Sequence, residues 1–362
     1  MPRRDLLTAT QRFELLSFPA LEERQLYQHY LLSFDDLARV LVKRQPEGQL
    51  GFAVQLTALR HLGRSLERDL PVPGEVLEFL SDQIGVKPEV YPEYTRRDTT
   101  RREHFVEACA LSGFRRLTPE DEPVLEAWLL PVALGLTRAV SLIGEVQVEL
   151  RERKIVQPAL SRLERMVART LETAETQTYQ TLLEGLDNLA LERLDGLLSP
   201  EVGWRVTRLS WLRQSVGATS TKHMLGLLER VNLIRTLKLK FSGAKAIHQN
   251  RLKGLVREGK PLSAYHFLDL PAQRRRATLL AIVLERLETL TDTAMEMHDT
   301  LGIRLLRRAT EAKDEKHLRQ GKAINQGVLL YGKVGSVLIQ ANRTRRTPSS
   351  GRGCSYSERT VT

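Results

Sequence analysis

SFDDLARVLVKRQPEGQLGFAVQLTALRHLGR, residues 33–64, carries two helical patterns back to back. Ser33 followed by Asp36 three residues on is a capping-box signature, and Phe34, Leu37, Val40 and Leu41 then supply an apolar face. Pro46 and Gly48 break that helix, and QLGFAVQLTALRHLGR at 49–64 starts another. Two short helices around a tight break fit a helix-turn-helix, whose second helix enters the major groove of DNA. They fit equally an αα-hairpin packed in a core, which is the commoner use of such a pair.

The same periodicity runs through the rest of the chain. PVPGEVLEFLSDQIGV at 71–86 reads as a helix opened by proline and ended at Gly85. YTRRDTTRREHFVEAC at 94–109 lies within the next helix, where Arg97 and Arg101 stand one turn apart with Arg102 beside them and Arg96 just before. A guanidinium row on one helix edge suits phosphate contacts; a solvated face pairing with Asp98 and Glu103 is the alternative. Residues 119–198 read as a long helical stretch interrupted near Pro131 and Pro158, within which 161–194 keeps Leu163, Val167, Leu171, Ala174, Leu182, Leu186 and Leu189 nearly in line. After Pro200 come a helix from Trp211, a Gly-Ala-Thr-Ser break and a second helix from about Thr221. RTLKLKF, 235–241, alternates apolar and basic residues over too few positions to decide strand from helix end; a strand there would allow a wing. Residues 270–309 form a strongly apolar helical segment entered through Arg274, Arg275 and Arg276. These readings predict an all-α fold, a multi-domain helical array with helix-turn-helix-like units.

Composition narrows the classes of function. The 362 residues are 41% hydrophobic, enough for two or three buried cores. The longest aliphatic run, LLAIVL at 279–284, is far short of a membrane span, and the opening MPRRDLLTATQRFELL turns polar too early for a secretory signal. Two cysteines, Cys109 and Cys354, make neither a disulfide framework nor a paired-cysteine zinc site, so a reducing cytoplasm is expected.

The net charge of +11 is unevenly spread. Residues 1–116 hold 17 Lys and Arg against 17 Asp and Glu, and residues 117–200 hold 8 against 14. Residues 201–343 hold 26 against 12, with 13 against 3 between 201 and 260 alone. Such a concentration expects a polyanionic partner. These shifts suggest four segments: an amino-terminal helical domain (1–116), a long-helix scaffold or linking region (117–200), a basic helical domain (201–343), and an aberrant tail (344–362).

Catalytic signatures are lacking. No G-x-G-x-x-G, P-loop, H-E-x-x-H or G-x-S-x-G occurs, and no repeat of fixed period appears. Asp292, Glu296 and Asp299 recur along one helix face with His298 adjacent, a spacing that suits either a divalent cation or ion pairs with Arg304 and Arg307. Two-metal phosphoryl transfer brings its carboxylates from several elements, so no metal is expected here.

Several stretches together resemble one family, the replicative transposases of the Tn-three family of bacterial transposons: RRDLLTATQR, LGFAVQLTALRHLGR, TRRDTTRREHF with GFRRLTPED, SWLRQSVGATS with LLERVNLIRTL, NRLKGLVREG, LPAQRRRATLLA with LTDTAMEMHD, and KAINQGVLLYGKVGSVLIQANR. They occur in the family's order and cover residues 1–343. The resemblance implies an all-α amino-terminal part that recognises the transposon's terminal inverted repeats in double-stranded DNA. It implies also an RNase H-like domain with an Asp-Asp-Glu triad and magnesium far downstream, for which this sequence shows no β-α-β alternation. The chain is therefore expected to bind DNA without cutting it and to need no cofactor. Its segment NRTRRTPSSGRGCSYSERTVT, 342–362, leaves the family pattern, as a frameshift or degraded gene copy would, and is expected to be disordered.

Expected DNA contacts are Arg3, Arg4, Arg60, Arg64, Arg96, Arg97, Arg101 and Arg102 in the amino-terminal segment. The basic segment adds Lys222, Arg230, Arg235, Lys238, Lys240, Lys245, Arg251, Lys253, Arg257, Arg274, Arg275 and Arg276. A non-catalytic protein that pairs with itself or with intact transposase through the 161–194 helix is the competing expectation, and no membrane partner is foreseen.

Overall fold

Ser33 opens a helix as the sequence suggests, and Thr8 opens another that the sequence reading did not mark. Each hydroxyl accepts from the amide three residues on, while the side chain at that position reaches back to the cap amide. The computed structural model describes residues 6–66, 71–201, 203–240, 242–315 and 321–343. Arg3, Arg4 and the tail 344–362 lie outside the described residues. In chain order the first helices are α1 (Ala9–Leu16), α2 (Glu23–Tyr30), α3 (Phe34–Leu41) and α4 (Pro46–Leu62). They are followed by α5 (Gly74–Ile84), α6 (Tyr91–Thr95) and α7 (Asp98–Ser112).

α4 is apolar around its whole circumference, and a helix patterned in that way belongs inside. Its residues Leu50, Phe52, Ala53, Val54, Leu56, Ala58 and Leu59 are fully buried, with α2, α3, α5, α6 and α7 packed around it. Gly51 is required by that packing, since a Cβ there would overlap the Tyr94 ring of α6. The donors that α4 carries inward find acceptors, whereas the buried Gln55 Oε1 has no partner among the described residues. Gln55 donates to the Tyr94 hydroxyl (2.7 Å) and to the Arg101 carbonyl (3.0 Å), and His104 Nδ1 lies 3.2 Å from the same hydroxyl. A helix enclosed on every side cannot lie in a DNA groove. The pair α3–α4 is thus the core hairpin, and the helix-turn-helix expectation fails there.

The second core joins α8 (Asp121–Gly135), α9 (Ala139–Glu152) and α10 (Leu160–Leu183), with Leu125, Leu129, Leu142, Ile143, Val146 and Leu163 fully buried. A two-residue parallel pair, β1 (Arg115–Arg116) with β2 (Ile155–Val156), ties the end of α7 to the end of α9. Pro131 lies inside α8 and does not interrupt it; the break comes at residues 136–138. The expected continuous helix over 161–194 divides as well. Gly185 takes a left-handed φ of 79°, and α11 (Asn188–Asp195) starts afresh with Asp187 capping the Ala190 amide. The expected helix through 94–109 is likewise two, since α7 begins at Asp98 with Arg97 as its cap.

The remaining helices are α12 (Arg208–Arg213), α13 (Thr221–Thr236), α14 (Gln249–Gly259), α15 (Ala264–Leu268), α16 (Ala272–Glu315) and α17 (Gly321–Arg343). Lys238–Lys240 forms no strand, so the wing is absent among the described residues. Two compact units emerge: the described residues up to Leu209 with Leu239–Val283, and Ser210–Lys238 with those from Leu284 onward. In the second unit, Arg286 donates to the Leu212 carbonyl (2.9 and 2.7 Å), closing the end of α12. There too, Gly302 of α16 admits the Tyr331 ring of α17. The units follow contacts, whereas the boundaries at 116 and 200 follow charge. No described helix is long and apolar enough to cross a membrane.

Candidate nucleic-acid interface

A cation reaches a phosphate only if its donors are not already used, so each candidate is decided by what surrounds it. In the first core most are occupied. Arg60 forms a two-pronged pair with Asp36 (2.8 and 2.8 Å) and donates to Ser112 (3.2 Å). Burial alone would raise the Asp36 pKa, but hydrogen bonds from Arg60 and Ser33 outweigh it and hold the carboxyl down at about 2. Arg64 is buried and donates to the Leu16 carbonyl. Arg101 donates to the Leu66 carbonyl at 2.8 Å and lies 3.5 Å from Asp98. Arg97 pairs with Glu47 at 3.0 Å yet stays half exposed. Arg96 and Arg102 are exposed, with no carboxylate partner among the described residues. The arginine row of 94–109 is therefore reduced to its outer members.

The basic segment divides in the same way. Arg230 lies over the Trp211 ring (5.6 Å) and donates to the Gln214 carbonyl (2.8 Å); burial, then the Arg286 charge, depresses its pKa. Arg274 pairs with Glu258, and Arg275 and Arg276 share Asp195 at 3.0 and 2.9 Å. Arg251, expected on the surface, is 6% exposed and donates to the Ala133 carbonyl from Nε (3.1 Å) and Nη2. Lys222, Arg235 and Lys238 remain exposed in the second unit, as do Lys240, Lys245, Lys253 and Arg257 in the first. Asp292, Glu296 and Asp299 lie exposed along α16, and His298 packs on Tyr331.

Arg251 organises the surface around it. The last carbonyls of a helix have no partner within it, and the guanidinium supplies one at the end of α8; Asn250 donates to the Gly135 carbonyl, two residues on, at 3.3 Å. α14 is thereby fixed against the α8–α9 corner, and Lys253 and Arg257, one turn apart, face the opening between them. The result is a cleft of ≈ 380 Å³ lined by Thr137, Arg138, Ser141, Asn250, Lys253 and Arg257, with no carboxylate in its walls. Thr137, Arg138, Ser141 and Asn250 escaped the sequence reading. Arg138 is an isolated arginine in a segment of acidic balance, and only the unacidic first turn of α9 signalled it.

A family model described as "Domain of unknown function (DUF4158)" matches residues 6–170. The transposase for transposon Tn3926 of Escherichia coli is 34% identical over 348 residues, which are 96% of this chain and 35% of that protein. The transposases for transposons Tn21 of Escherichia coli and Tn501 of Pseudomonas aeruginosa are 35% and 34% identical over the same shares. The chain belongs to the Tn-three family of transposases. It spans about a third of the length of these relatives. The family match covers both buried cores, so the paired arginines and the α8–α9 corner fall within its shared framework or beside it.

Proposed function

We propose that this chain is the DNA-recognising part of a Tn-three transposase. In this reading it holds the transposon's terminal inverted repeats, in the bacterial cytoplasm, through exposed lysines and arginines. The observation that carries the proposal is selective exposure: Arg96, Arg102, Lys222, Arg235, Lys238, Lys240, Lys245, Lys253 and Arg257 are at the surface, while their buried neighbours serve the fold. Cutting and joining are assigned to another part of the transposase, because the Asp292, Glu296 and Asp299 row lies along a single exposed helix face and needs partners from other elements to make a two-metal site.

The test is a gel-shift titration against a terminal repeat and a scrambled duplex at two salt concentrations. If about six to eight phosphates are neutralised, log affinity falls against log salt with a slope of about −5 to −7, and the repeat binds more tightly. Binding that ignores salt overturns the proposal. It would favour a second reading, a protein that pairs with itself or with intact transposase, which exposed Ile303, Leu306, Val328, Leu329, Leu330 and Val337 in the second unit support.

A further inference from the structure

We infer that the cleft between the α8–α9 corner and α14 is a phosphate seat, taking a phosphodiester of the DNA backbone; the inference rests on the DNA-binding reading above. Three cations from two separate elements converge on it, Arg138 from the start of α9 and Lys253 and Arg257 from α14. None of the three has a carboxylate partner among the described residues. That sets them apart from Arg60, Arg115, Arg162, Arg169, Arg274, Arg275 and Arg276 in the same unit, each paired with an acid. Glu258, the acid next to Arg257 in sequence, is taken by Arg274.

The walls suit an anion in two further respects. α9 starts without a side-chain cap or an acidic residue in its first turn, so its leading amides are available where Arg138 and Ser141 line the cleft. Two of the α8 carbonyls at the corner, those of Ala133 and Gly135, which would repel an anion, are covered by Arg251 and Asn250. Thr137, Ser141 and Asn250 add neutral donors. Because Arg251 anchors α14 through a buried contact, the backbone that carries Lys253 and Arg257 is set before the ligand arrives, which lowers the ordering cost of binding.

The shared chemistry, a phosphate oxyanion, has two sources: a nucleic-acid backbone or a free phosphate compound. The triple variant Arg138→Gln, Lys253→Gln, Arg257→Gln removes the seat while leaving Arg251 intact. Wild type and variant are titrated with a duplex across a salt series, and hydrogen exchange of segments 136–142 and 250–257 is followed with duplex and separately with pyrophosphate. Duplex is expected to slow exchange in both segments of the wild type, and the variant's log–log salt slope should be shallower by about 2 to 3. Duplex binding with an unchanged slope in the variant overturns the inference while leaving the DNA-binding reading intact. If the wild type binds no duplex, that reading fails. Protection by pyrophosphate that the variant loses then reassigns the seat to a free phosphate, and no protection overturns the seat itself.

Discussion

Two regions of one chain handle arginine in opposite ways. Around α4, arginine is structural: Arg60 holds Asp36 and Ser112, Arg64 holds the end of α1, and Arg101 holds the Leu66 carbonyl. Along the outer face of α14, Lys253 and Arg257 hold no carboxylate among the described residues. The amino-terminal segment has as many acids as bases, and Arg60 and Arg97 find carboxylates there while Arg96 and Arg102 do not; residues 201–260 have far fewer acids than bases. Local charge balance, more than the number of cations, decides which region is left to meet an external anion.

The strongest challenge to this contrast is removal of the frame that makes the first region structural. Phe52→Ala should cost about 3–5 kcal/mol, read as a shift in the denaturant midpoint, because the ring is fully enclosed. Next, Arg60→Ala should cost about 2–3 kcal/mol by orphaning the largely buried Asp36, and should leave the salt slope of DNA binding unchanged. A shallower slope in that variant would show that Arg60 contacts phosphate after all.

Acid sharpens the contrast further. Burial, then the neighbouring charges of His29 and Arg151, holds His61 at about 4, and burial with the Lys43 charge holds His104 at about 4, both below the unfolded value of 6.5. Between pH 6.5 and 4 the unfolded chain binds more protons, so stability should fall as pH drops through that window. At lower pH, protonation of Asp36, from 3.8 down through about 2, should remove the contribution of its pairing with Arg60. Thermal unfolding across pH 7 to about 2 checks both steps, and a melting temperature flat between 6.5 and 4 would contradict the first. The smallest effect belongs to exposed Arg102: Arg102→Gln should alter stability by no more than about 0.5 kcal/mol and make the salt slope shallower by about 1.

Local signals were readable in the sequence because they are local. The Ser33 cap, the αL glycine at 85 and the start of α13 at Thr221 all depend on residues within one turn. The α3–α4 pair was legible as two helices, but only the burial of α4 decided between a helix-turn-helix and a core hairpin. What escaped depends on distant partners. Arg275 meets Asp195 across 80 residues of sequence, and Arg251 turns inward to the end of α8 although its helical neighbours suggested an outward face. The break at Gly185 was hidden because the leucine spacing continues in phase across it.

The Arg251–Ala133 contact joins positions 118 residues apart, which gives the cleft a history as well as a shape. At synthesis rates of 5–20 residues per second, α14 reaches the α8 corner about 6 to 24 s after that corner is made. Until then water alone serves the α8 carbonyls, and only one wall of the cleft exists. A growing chain thus builds the α8–α9 scaffold before it makes the α14 wall that completes the proposed seat.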